Sequence, residues 1–110
     1  MKIQETLFRN IDWTMINPIE HKGEKGTSFW RTVESQNIRV RVVEYTSGFK
    51  SNHFCSKGHI ILVLEGTLSL EFTNGRTFTI DKGMSFLVGD SEKYSHLAFT
   101  ENGAKFFIID

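Results

Sequence analysis

HIILVLEGTLSLEFTNGRTFTI, residues 59–80, decides the fold class. Its first eight residues (59–66) are almost wholly apolar up to Gly66, the pattern expected of a strand buried on both faces. Gly66 breaks that run, and TLSLEF (67–72) then alternates, with Leu68, Leu70 and Phe72 sharing a face. Asn74-Gly75 is the strongest hairpin signal in the chain, because the tightest hairpin turns need positive φ at their central residues. RTFTI (76–80) returns from it.

The same grammar extends in both directions. Upstream, TSFWRTV (27–33) is rich in strand-forming residues, and IRVRVVEY (38–45) alternates. There Ile38, Val40 and Val42 share one face and Arg39 and Arg41 the other; the arginines could reach a substrate carboxylate bidentately, but a solvated outer face or a dimer surface suits them better. Downstream, MSFLV (84–88), HLAFT (96–100) and AKFFIID (104–110) are separated by turn-forming residues. About eight short strands at roughly ten-residue spacing predict an all-β sandwich or barrel. No stretch after residue 27 keeps a 3.6-residue period long enough for a helix. Residues 1–26 are expected to be an extension laid on the barrel, with HKGEKG (21–26) an exposed loop.

At 110 residues the chain is expected to form one domain, 1–110. Thirteen basic residues balance thirteen acidic ones with no Lys/Arg run, which argues against nucleic acid or an anionic membrane as partner. The one cysteine, Cys55, precludes an internal disulfide. With no apolar stretch fit for a signal or a membrane span, it predicts a cytoplasmic protein.

Three of the four histidines lie around the central strands. His53-x-Cys55 places two ligand-capable side chains on one face of an extended segment. His59 follows a tight connection, and His96 opens a later strand. Together His53, Cys55, His59 and His96 form a candidate site for one divalent metal ion, since imidazole and thiolate suit zinc, iron, nickel or copper. Singly, each has a plainer reading: Cys55 as a small buried hydrophobe, His59 as a hydrogen-bonded edge residue, His96 as a loop residue. His21 falls in the charged loop and is set aside. Glu44 is either an outer partner for a ligand histidine or a surface carboxylate. Trp13 and Trp30 read as packing anchors, and Ser56 lacks the context of a nucleophile.

These residues resemble the cupin family. Its first motif, G-x5-H-x-H-x3,4-E-x6-G, is similar to Gly48-x4-His53-x-Cys55-x3-His59-x6-Gly66, where Cys55 takes the place of the second His and His59 that of the Glu. Its second motif, G-x5-P-x-G-x2-H, resembles Gly83-x5-Gly89 followed by His96, with a loop longer by two residues. NHFCSKGHI (52–60) and the ending GAKFFIID (103–110) look like a set of small cupins named for an Asp-His-Cys-Trp motif, although Asn52 and Phe54 depart from that wording. The resemblance implies a single-domain β jelly roll (a double-stranded β-helix) with a metal inside the barrel, zinc or iron foremost. It also implies a homodimer, to which the Phe-rich AKFFIID would contribute.

Three functions follow as expectations. The first is a small-molecule dioxygenase or isomerase with His53, His59 and His96 as ligands and an open position. The second is a non-catalytic metal-binding or sensing module in which Cys55 closes a His3Cys shell. The third is a metal-free domain that binds a small ligand. Neither substrate nor reaction is specified by the sequence.

Overall fold

A computed structural model describes residues 2–110. Eight antiparallel strands form it: β1 (Ile19–Lys22), β2 (Thr27–Ser35), β3 (Ile38–Tyr45), β4 (His59–Phe72), β5 (Thr77–Asp81), β6 (Ser85–Val88), β7 (His96–Phe99) and β8 (Ala104–Ile109). Two single turns of 3-10 helix, Trp13–Met15 and Glu92–Tyr94, complete the regular structure. The strand order is β1-β2-β3-β8-β4-β5, and β6 and β7 also pair with β4. This is the curled, all-β sandwich of a jelly roll. No helix among the described residues is long and apolar enough to cross a membrane.

The fold turns on β4, which runs through both sheets. Its first half pairs with β6 and β8, and its second half with β5 and β7. The break expected at Gly66 is therefore a bend within one 14-residue strand. The ladder to β8 shifts register between Val63 and Glu65, an irregularity that re-aims the strand. Gly66 has φ +71° and lies directly against the Gly103 carbonyl, leaving no space for a Cβ. The apolar run at the start of β4 is not buried on both faces. Ile61 and Val63 point into the core, but Ile60 and Leu62 are 39% and 38% exposed.

The core is built by Val43 of β3, Ile61, Val63, Leu68 and Leu70 of β4, Ile80 of β5, and Phe106 and Ile108 of β8. On β3 the structure reverses the face assignment made from sequence. Arg39, Arg41, Val43 and Tyr45 line the interior, and Arg41 is buried. Val40 and Val42 face the other way, level with Ile109 and Phe107 of β8. That side is apolar because the N-terminal segment crosses it: Trp13 meets Phe107 edge-on at 6.2 Å, and the Arg31 Nε donates to the Ile16 carbonyl. An apolar stripe covered by an extension looks, in sequence, like a core stripe.

The sheet also begins before residue 27. β1 pairs along β2, so His21 and Lys22, expected in a loop, are exposed strand residues. The His21 ring rests on Trp30 with centroids 3.9 Å apart.

Gly66→Ala should lower stability by roughly 2 kcal/mol or more, because a Cβ must be held in the left-handed region against a backbone carbonyl. A urea midpoint unchanged from wild type would disprove that account of the bend.

Candidate metal centre

Cys55 lies in the irregular connection between β3 and β4, yet its position is fixed. It forms a β-bridge with His96, the Cys55 N–H donating to the His96 carbonyl at 2.7 Å and the His96 N–H returning to Cys55 at 2.9 Å. Antiparallel partners that exchange both bonds project their side chains to the same side. The first residue of β7 thus meets the thiol. His59, the first residue of β4, completes the group: Cys55 Sγ lies 3.7 Å from His59 Nε2, and the His59 and His96 rings are nearly perpendicular with centroids 5.2 Å apart.

One donor atom from each of Cys55, His59 and His96 lies within 4.8 Å of the others. Bond lengths of about 2.0–2.3 Å to zinc place tetrahedral ligand atoms about 3.3–3.8 Å apart, so an ion requires a closure of about 1.5 Å at most. The imidazoles are already oriented. His59 Nδ1 donates to Asp110 Oδ2 at 3.0 Å, and His96 Nδ1 donates to the Tyr94 carbonyl at 2.9 Å. Each bond places the ring proton on Nδ1 and leaves the Nε2 lone pair available, the arrangement found behind metal-ligating histidines. A thiol and two imidazoles with fixed tautomers fit a borderline-soft divalent ion.

His53 stands apart from this group. Its side chain is exposed and its Nδ1 is 2.7 Å from Asn52 Oδ1, although it lines the same cavity of about 210 Å³ as Cys55, His59 and His96. Glu44 does not support a ligand. It faces a surface pocket shared with Glu65 and Lys105, its own partner on β8. The carboxylate behind His59 belongs to Asp110, which sequence reasoning missed. Asp110 Oδ1 accepts from Arg39 Nε at 2.9 Å, while Oδ2 accepts from Arg39 Nη2 at 3.0 Å and Arg41 Nη2 at 2.7 Å. The inward parity of Arg39 and Arg41 was the one signal that could have found it.

No protein-family model matches the chain, and no curated protein does. Solved structures do. The polyketide cyclase RemF of Streptomyces resistomycificus superposes with a TM-score of 0.73 at 18% identity, over 94% of this chain and 78% of its own. A sugar phosphate isomerase from a cupin superfamily, from Silicibacter pomeroyi, gives 0.72 at 17% identity over 92% and 74%. A cupin domain of Bordetella pertussis gives 0.61 at 16% identity over 84% and 96%. The chain therefore has the cupin fold.

Burial holds His59 below its ordinary 6.5, outweighing the upward pull of the Asp110 carboxylate, and the nearby His96 and Arg41 charges act with burial. The His59–Asp110 contact is thus a hydrogen bond from a neutral ring. Burial acts to raise Asp110, but the Arg39 hydrogen bond and the charges of Arg41, Arg39 and His59 hold it below 3.8. Both groups have depressed values in the fold. Their stabilisation is complete above the unfolded values and is lost as pH falls through the folded ones. In metal-free protein the urea midpoint should fall as pH drops below 6.5, from His59, and again below 3.8, from Asp110. His59→Gln should flatten only the upper part, and an unaltered slope there would contradict the assignment.

Proposed function

We propose that this chain is a small cupin that holds one divalent ion on Cys55, His59 and His96 and presents it to a small molecule in the barrel. The observation that carries the reading is the closeness of three soft or borderline donors whose histidine tautomers are set by Asp110 and the Tyr94 carbonyl. Zinc is the ion we favour, with iron next, because thiolate and imidazole are the donors zinc takes most readily. The ion would supply Lewis acidity toward an oxygen of the bound molecule. His59 and His96 would hold it, and Asp110 would keep the His59 ring from turning. Trp30, Phe86 and Phe106 line the cavity with apolar surface that limits water.

Within this reading an isomerase- or cyclase-type reaction is favoured over a dioxygenase. Solved neighbours named as a cyclase and an isomerase share the fold, and such reactions need no redox change at the ion. The His-x-Cys spacing supports placing the chain with the small cupins of the Asp-His-Cys-Trp type. We assign it to the cytoplasm, where a thiol ligand stays reduced. The second reading, a closed sensory shell, draws support from His53 lining the same cavity.

Metal analysis of purified protein should find about one ion per chain. Cys55→Ser, His59→Ala and His96→Ala should each weaken zinc binding by more than the ~10–100-fold typical of changes to groups behind the ligands, and Asp110→Asn by about that range. His53→Ala should keep its ion. Loss of metal in His53→Ala would move the weight to the closed shell, and full occupancy in all three ligand variants would refute the site.

We also propose a homodimer, formed through the outer face of β4 and β6. Ile60 pairs across the sheet with Leu87, and Leu62 with Phe107, so Ile60, Leu62 and the 78% exposed Leu87 make one continuous apolar patch. Sedimentation should give a dimer at tens of micromolar, an order-of-magnitude range for such contacts, and Leu62→Glu should give a monomer. A wild-type monomer there would reject the dimer.

A further inference from the structure

A buried arginine stands beside the candidate metal centre without a full set of partners. Arg39 and Arg41 both line the cavity and share the carboxylate of Asp110, which also accepts from His59, while Glu34 of β2 stands opposite Arg39. Arg39 reaches solvent, with its side chain 39% exposed, so water meets part of its demand. Arg41 does not. Its side chain is 6% exposed, its guanidinium carbon lies 4.4 Å over the Trp30 ring, and its Nη2 is committed to Asp110. Its Nε is buried with no hydrogen-bond partner among the described residues.

A buried N–H without a partner costs about 1–3 kcal/mol, more when it belongs to a charged group, so such a donor is kept where something else satisfies it. Water can fill the hydrogen bond but does not answer the charge of a buried guanidinium whose one carboxylate is shared with Arg39. An ion on Cys55, His59 and His96 would add two positive charges against one thiolate. An anionic ligand answers both demands.

We infer that Arg41 is the anchor of a small carboxylate bound in the barrel, one carboxylate oxygen accepting from Arg41 Nε. The cavity, of about 210 Å³, admits a carboxylate of a few carbons. The apolar lining by Trp30, Ile61 and Phe106 suits the carbon portion of such a molecule. Arg41 is thus a specificity-determining residue. The inference deepens the ligand-binding reading above, but it does not need the ion.

The test uses the full chain as purified and again after metal removal, with propionate as probe and uncharged propionamide as its match, at constant ionic strength. Propionate should shift the Arg41 Nε–Hε resonance in the nitrogen–proton spectrum, and propionamide should not. Arg41→Lys keeps the charge but lacks the Nε donor, and should bind propionate at least about tenfold more weakly. Lys82→Gln, exposed and outside the cavity lining, should bind it within about threefold of wild type. Equal binding of propionate and propionamide, an Arg41 resonance that does not move, or full propionate affinity in Arg41→Lys would each overturn the inference. If Arg41→Lys fails to fold, the paired probes on wild type still decide. Arg41-dependent binding in metal-free protein upholds this site even where metal analysis finds none. Binding that requires the ion but ignores Arg41 overturns it while sparing the metal centre.

Discussion

The Asp110 carboxylate is the constraint on which the interior of this barrel depends. It follows directly on β8 and ties Arg39 and Arg41 of β3 to His59 of β4, joining the three strands that run side by side in the larger sheet. Without it two guanidinium groups would lie side by side on one face of β3, and the desolvation of Arg41 would be uncompensated. Burial indeed pulls Arg41 below its ordinary value, while Arg39, hydrogen-bonded to the same carboxylate, is raised. One acidic side chain thus permits a polar interior and orients a potential ligand. The structural and chemical roles of the residue cannot be separated.

Strand pairing does the rest of the assembly. Cys55 and His96 are far apart in sequence but oppose each other in a two-bond bridge, so the thiol and the imidazole are brought together by backbone hydrogen bonds alone. His59 joins them from the first half of β4, paired with β6, whereas His96 pairs with Phe72 at the other end of β4, and the two rings meet with centroids 5.2 Å apart. The open cleft of about 820 Å³ lined by Phe72, Phe78, Met84 and Tyr94 meets the inner cavity at Leu70, Phe86 and His96. His96 therefore stands between the interior and the nearest large opening.

Much of this was legible in the sequence, for identifiable reasons. Asn74-Gly75 and the alternation of Leu68, Leu70 and Phe72 are local signals, and the hairpin they predict is present between β4 and β5. The pattern Gly48, His53, Cys55, His59, Gly66 drew attention to the residues that line the cavity. What failed was inference about faces. The inward arginines are stabilised by a carboxylate about seventy residues away in sequence, and no rule of local periodicity can see a partner at that distance. Glu44 drew notice as an outer partner because it shares the parity of Val40 and Val42, and that same parity turns it outward, as its surface-carboxylate alternative requires. The bend in β4 was likewise read as an end, since a glycine that lets one strand pass between two sheets leaves the same mark as a turn.

The central role of β4 has a consequence for how the chain reaches this state. It touches β5, β6, β7 and β8, and most close approaches in the fold join residues far apart in sequence. Little of the native structure can form from neighbours alone, so loop-closure entropy is spent before stabilising contacts are made. The chain should therefore fold in milliseconds to seconds, as β-sandwiches do, with the closing of β8 between β3 and β4 a late event. Asp110, which follows β8, reaches His59 only when that closure occurs. Any ion the site captures would bind the finished barrel far better than the nascent one, and would act as a latch on a slow folder.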